Sequence, residues 1–99
     1  MYKTLRVGTH AISAIEMYDS KRDNSYPIRK VCEAYRLGNR CDSIRVFIDD
    51  RESIVSGLIA IATASANTAN DPTKHPETRE FARVAAVKVM TAAMNLARN

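Results

Sequence analysis

Tryptophan is absent from this chain, and phenylalanine and tyrosine together number six. Large rings therefore cannot fill the interior, and the core must come from aliphatic side chains, Met and Ala. Glycine and proline are equally sparse at three each. With 45% hydrophobic and 26% charged residues, that composition belongs to a folded globular domain, not a disordered one. The only cysteines are Cys32 and Cys41, too few for a disulfide framework, so two free thiols in a reducing cytosol are expected. The two histidines, His10 and His75, lie too far from them in sequence to suggest a zinc site.

Other absences exclude function classes. There is no HExxH, no glycine-rich phosphate loop, no Ser/His/Asp set and no pair of acids in apolar company, so no enzyme and no cofactor are expected. Asp49 and Asp50 offer adjacent carboxylates for a cation, but acids at a helix start more often act as caps favoured by the dipole. MYKTLRVGTH has no continuous apolar run and does not read as a secretory signal. Ser53 to Asn70 carries no charge for 18 residues, yet eight of them are Ser, Thr, Asn or Gly. That is too polar for a membrane span, so a cytoplasmic protein with no membrane partner is expected.

Acidic residues are the remaining shortage. The net charge is +4, and the stretch from Ser20 to Arg45 holds seven basic residues against three acidic ones. This one segment thus carries the whole excess. Lys21, Arg22, Arg29, Lys30, Arg36, Arg40 and Arg45 make a field that attracts phosphate, whether of nucleotide, nucleic acid or lipid, or else a solvated face.

Ninety-nine residues make one domain, 1–99, and bury only about 65% of the surface exposed on unfolding. Residues 1–33 read as an N-terminal extension with a first helix, and 49–98 as a helical hairpin. At the start, Tyr2 and Thr4 alternate weakly with Leu5 and Val7, as a short strand would. A short helix covers His10 to Tyr18, and DSKRDNS connects it to the next. Ile28, Val31, Cys32 and Tyr35 recur at i, i+3, i+4 and i+7, a helical stripe with Pro27 in its first turn and Gly38 at its end. Asp49 and Glu52 have capping-box spacing and open a third helix through Ile61. Two prolines then break the chain, and Pro76, preceded by His75 as the residue at the helix start, begins a helix to Arg98. The fold class expected is mainly α: a small helical bundle with a C-terminal antiparallel hairpin and room for one or two short N-terminal or central strands.

In the last helix Glu80, Arg83, Lys88, Thr91, Asn95 and Arg98 gather on an arc of about 140°, leaving about 220° apolar. That exceeds what one partner helix covers in so small a chain, so part of it reads as a homo-oligomer interface. Ala85, Val89 and Ala92 of this helix, with Ala60 and Ala64 from the small-residue side of the third, are the interface residues expected.

AYRLGNRCDSIRVFI, residues 34–48, first suggests a DNA-reading helix-turn-helix. Ala34, Gly38, Ile44 and Phe47 fit its count, and Arg40, Ser43 and Arg45 would then face the duplex. The faces disagree. That register buries Lys30 and Glu33 and exposes Ile28 and Val31. A strand is equally compatible, because Ile44, Val46 and Ile48 alternate with Arg45 and Phe47.

AYR at 34–36, SGLI at 56–59 and FARVAAVKVMTAAMNLAR at 81–98 resemble corresponding pieces of a phage family, the anti-CBASS cyclic-oligonucleotide sponges. The resemblance covers residues 34–98 and none of the first 33. It implies a small helical oligomer that sequesters a cyclic nucleotide messenger, without cleaving it, in a counter-defence role. Tyr35 would supply a ring to stack on a base, and Arg36, Arg40 and Arg45 forks for phosphate. The family's lysine in its middle helix has no counterpart; Arg51 is the nearest basic residue. Two other readings stay open: a helix-turn-helix-like DNA-binding regulator, and a protein–protein inhibitor docking on a host defence complex.

Overall fold

Ile44 and Val46 are fully buried while Arg45 between them is exposed, and this two-residue period marks residues 43–47 as a strand. The computed structural model describes residues 1–21, 25–38 and 41–98. Strand β1 (Tyr2–Arg6) and helix α1 (Thr9–Ser20) are followed by α2 (Tyr26–Arg36) and β2 (Ser43–Phe47). A 3-10 turn, Ile48–Asp50, then leads into α3 (Arg51–Ala69), and α4 (Pro76–Ala97) closes the chain. Four α-helices and a two-stranded antiparallel sheet make a mainly α bundle among the described residues, as the sequence predicts. No helix among them is long and apolar enough to cross a membrane.

The second helix that a helix-turn-helix would need is thus β2. It pairs with β1 in the register Tyr2↔Phe47, Thr4↔Arg45 and Arg6↔Ser43. The partner strand lies some forty residues away in sequence, and no local periodicity could have announced it. Past the pairing, the N–H groups of Val7 and Gly8 both donate to the Asp42 carbonyl at 2.8 Å. Gly8 turns the chain into α1 with φ 91°, a conformation glycine adopts without steric cost.

Leu5 from β1, Val7 just past its end, Ala11, Ile12, Ala14 and Ile15 from α1, and Val31 and Ala34 from α2 meet Ile44, Val46 and the inner sides of α3 and α4 in one core. Pro27 sits in the first turn of α2, as expected. The capping box expected at Asp49 and Glu52 does not form. Asp49 is already inside the 3-10 turn, and Asp50 holds the cap position without a side-chain bond to the helix. Its carboxylate instead lies 3.4 Å from Lys30 of α2. At α4 the reading of His75 holds: its Nδ1 accepts from the Glu77 N–H at 3.2 Å, and Pro76 is the first helical residue.

The polar arc of α4 is exposed at every position. The expected oligomer residues fall otherwise. Ala85, Val89 and Ala92 are buried in the chain's own core, at 2%, 0% and 5% exposure, and cannot meet a second copy. Ala60 and Ala64 are half-buried on α3. The reason is steric: with Ala at 82, 85, 92 and 93 beside Val89 and Leu96 on its inner face, α4 comes close to its neighbours. Val87 and Met94 are left 58% and 51% exposed.

Candidate functional site

Of the five residues expected to hold a ligand, Arg40 lies outside the described residues, and the other four divide among three places. Tyr35 is half-buried against the core, and its hydroxyl donates to the Glu16 carboxylate of α1. One residue on, Arg36 bonds Asp19 of the same helix. Tyr35 and Arg36 therefore tie α2 to α1, and the Tyr35 ring is not an open stacking platform. Arg51, half-buried at the start of α3, shares a recess with Tyr26 and with Asp49, Asp50 and Glu52, where acid outnumbers base.

The Tyr35 contact has a measurable signature. Accepting by Glu16 favours the neutral phenol, and burial and the nearby Glu16 and Asp19 charges add to this, so its pKa is pushed up to about 12. An unfolded tyrosine ionises near 10. The stabilisation is thus complete below about pH 10 and is lost as pH rises toward 12, because the unfolded chain releases its proton first. The margin of the wild type over Tyr35→Phe in urea denaturation is expected to shrink between pH 9.5 and 11.5, values chosen about the ordinary tyrosine pKa. An unchanged margin would remove the Glu16 bond from the account.

Arg45 has different company. On the outer face of the sheet Tyr2, Thr4 and Arg6 of β1 stand beside Arg45 and Phe47 of β2, while Leu5, Ile44 and Val46 point inward. The Arg45 guanidinium carbon lies 4.6 Å from the Tyr2 ring centroid, diagonal to it in the register. The Phe47 ring is 5.2 Å from the same ring, tilted by 47°. Arg6 reaches Asp42 at 3.2 Å from its Nε. The result is an exposed face with two rings and two guanidinium groups, and with the Asp42 carboxylate at one end.

Much of the basic excess is engaged elsewhere. Lys30 contacts both Glu33 and Asp50 at 3.4 Å, and those two carboxylates raise its pKa. Arg29 lies over the Tyr26 ring at 5.4 Å. Among the described basic residues from 20 to 45, Arg45 is the one placed on a face with two aromatic rings. Tyr2, Phe47 and Arg6 were not singled out from sequence. Their alternation was visible; the pairing that sets Tyr2 beside Arg45 was not.

A separate apolar groove of about 380 Å³ opens between α1, α3 and α4, lined by Met17, Tyr18, Phe81, Ala64 and their neighbours, with Lys21 and Glu77 at its edge. Its opposite edge charges recommend no particular ligand. Comparison with models of known protein families, with curated proteins and with solved structures finds no match.

Proposed function

We propose that this chain is a non-enzymatic binding protein whose outer sheet face takes a phosphate-bearing ligand with a planar base, a cyclic nucleotide messenger in particular. The observation that carries the reading is Arg45 held over the exposed Tyr2 ring beside Phe47. Guanidinium N–H groups fork onto phosphate oxygens, and aromatic or guanidinium planes stack on bases. Holding Arg45 on a ring before a ligand arrives reduces the ordering cost of binding. The cyclic-nucleotide preference, and with it the counter-defence role, extends the resemblance of residues 34–98 to the sponge family. It moves the contact from Tyr35 and Arg36 to Tyr2 and Arg45. DNA reading by a helix has lost its helix, so nucleic acid remains only as a single strand laid on the sheet.

Thermal shift and calorimetry with a panel of cyclic di- and trinucleotides, beside single-stranded oligonucleotides, test this. A ligand at a hundredfold excess over its Kd adds about 2.7 kcal/mol to the folded state. Arg45→Ala and Tyr2→Ala are each expected to weaken binding about tenfold or more, as loss of a charge-assisted or stacking contact does. No shift with any cyclic nucleotide sinks the messenger reading. Binding indifferent to Arg45→Ala removes the sheet face as its site. A response confined to oligonucleotides, weakening steeply with salt, replaces the messenger with a single strand.

A further inference from the structure

A two-stranded sheet has two outer edges, and here they are treated differently. At one end of the strand pair the Val7 N–H donates to the Asp42 carbonyl at 2.8 Å, and at the other the Ile48 N–H donates to that of Met1 at 2.9 Å. Continued by one residue at each end, the register sets 7 opposite 42 and 1 opposite 48. Backbone groups along an antiparallel strand alternate in direction, so residues 1, 3, 5 and 7 bond toward β2. The N–H and C=O groups of Tyr2, Thr4 and Arg6 therefore point away from it. The same alternation directs those of Ser43, Arg45 and Phe47 away from β1.

The two edges differ in cover. The chain just past α2 lies along β2: a Cβ on Gly38 would come within 3.1 Å of the Ser43 carbonyl oxygen and 3.5 Å of the Arg45 nitrogen. Along β1, no backbone bond from another element among the described residues reaches Tyr2, Thr4 or Arg6, and all three residues are exposed. The register runs unbroken and β1 holds no proline, so neither a bulge nor a missing N–H closes the edge. An extended chain laid beside it meets alternating donors and acceptors along the whole strand.

Charge selects the chain. The first 15 residues contain no Asp or Glu, while β1 carries Lys3 and Arg6. The Arg6 side chain is 85% exposed even though it reaches Asp42. Lys88 of α4 stands just past the end of the strand, its Cδ 3.9 Å from where a Cβ on Gly8 would be. A second copy of β1 would bring its own cations to this edge, whereas an acidic strand meets opposite charge.

We propose that the open edge of β1 takes an extended, acidic segment of another protein as a third, antiparallel strand, bonded to the main-chain groups of Tyr2, Thr4 and Arg6. Alternate side chains of the added strand share the outer face with Arg6, and acids are favoured at those positions. The contact is made by the strand's edge and not by the Tyr2–Arg45 face, so it is independent of the nucleotide reading.

The probe is a capped seven-residue peptide alternating glutamate with valine, titrated into the full chain by fluorescence anisotropy and followed by amide hydrogen exchange. In the protein alone, the Leu5 and Val7 amides should be protected and those of Tyr2, Thr4 and Arg6 should exchange fast; bound peptide should slow these three. Thr4→Pro removes the central donor without touching the β1–β2 ladder, and should weaken binding about tenfold or more with an unchanged circular dichroism spectrum. Should that variant unfold, the peptide itself supplies the test. Methylating its glutamate nitrogens, which face β1 when the glutamates share the outer face, should abolish binding, and methylating its valine nitrogens should not. No saturable binding of the glutamate peptide overturns the proposal, as does binding that leaves the three amides exchanging as before or that survives glutamate methylation. A lysine–valine peptide that binds equally well overturns the acidic partner. Protection of the three amides that grows with protein concentration, without peptide, gives the edge to a second copy and overturns it too.

Discussion

Gly57→Ala is expected to lower the stability of the fold by about 2 kcal/mol, although alanine is the better helix former by about 1 kcal/mol. Gly57 is a buried residue inside α3, where glycine ordinarily weakens a helix. A Cβ added there would enter the van der Waals radii of the Pro27 carbonyl oxygen and Val31 Cγ2, and would come within 2.7 Å of the Pro27 carbonyl carbon. Two of these three atoms belong to the backbone of the first turn of α2, which cannot rotate out of the way. The helices must separate, and overpacking of this kind costs about 3 kcal/mol or somewhat more, which exceeds the propensity gain. For a domain of this size the loss corresponds to a fall in Tm of about 8–16 °C. Ser56→Ala, one residue earlier and exposed on the same helix, has only the propensity term and should gain a few tenths of a kcal/mol. Urea midpoints with unchanged slopes would measure both. A Gly57→Ala protein as stable as the wild type would mean that α2 and α3 do not cross at this point.

The same residue shows where sequence reasoning stops. Bulky apolar stripes were readable: Ile28, Val31 and Cys32 are buried on α2, as are Ile54, Leu58 and Ile61 on α3. The sequence also offers a side of α3 where another helix could approach closely, made of Ser56, Ala60, Thr63, Ala64 and Asn67. The tightest crossing is at Gly57, about 100° around the helix from Ser56. The composition of one helix cannot say which of its small residues meets a backbone; the crossing angle with α2 decides that. On α4 the polar arc from Glu80 to Arg98 already placed the inner face opposite it, but hydrophobicity could not foretell that Ala82, Ala85, Ala92 and Ala93 would make up most of that face. The alanines went inward because packing rewards closeness as well as bulk. Within the candidate site, each strand's alternation was legible from its own residues. The join between Tyr2 and Arg45 depends on a pairing across the whole N-terminal half.

That pairing makes a sharp mutational prediction. Ile44→Ala is expected to cost about 3 kcal/mol, since Ile44 is fully buried opposite Leu5 in the strand pair, and its truncation leaves a cavity in the core. Val46→Ala, equally buried but smaller, should cost about 2 kcal/mol. Arg45→Ala between them should cost no more than about 1 kcal/mol, the worth of an exposed cation–π contact with Tyr2. A large–small–large series over three consecutive residues is the period of a strand. Were 43–48 helical, positions 44, 47 and 48 would share a face, and Phe47→Ala would rival Ile44→Ala while Val46→Ala stayed mild. Denaturant midpoints of the four variants separate the two patterns. They also decide how the ligand experiment is read. If Arg45→Ala folds as well as the wild type, any loss of nucleotide binding it causes arises at the sheet face; if it unfolds the domain, Arg45 has a structural duty that its exposure does not suggest.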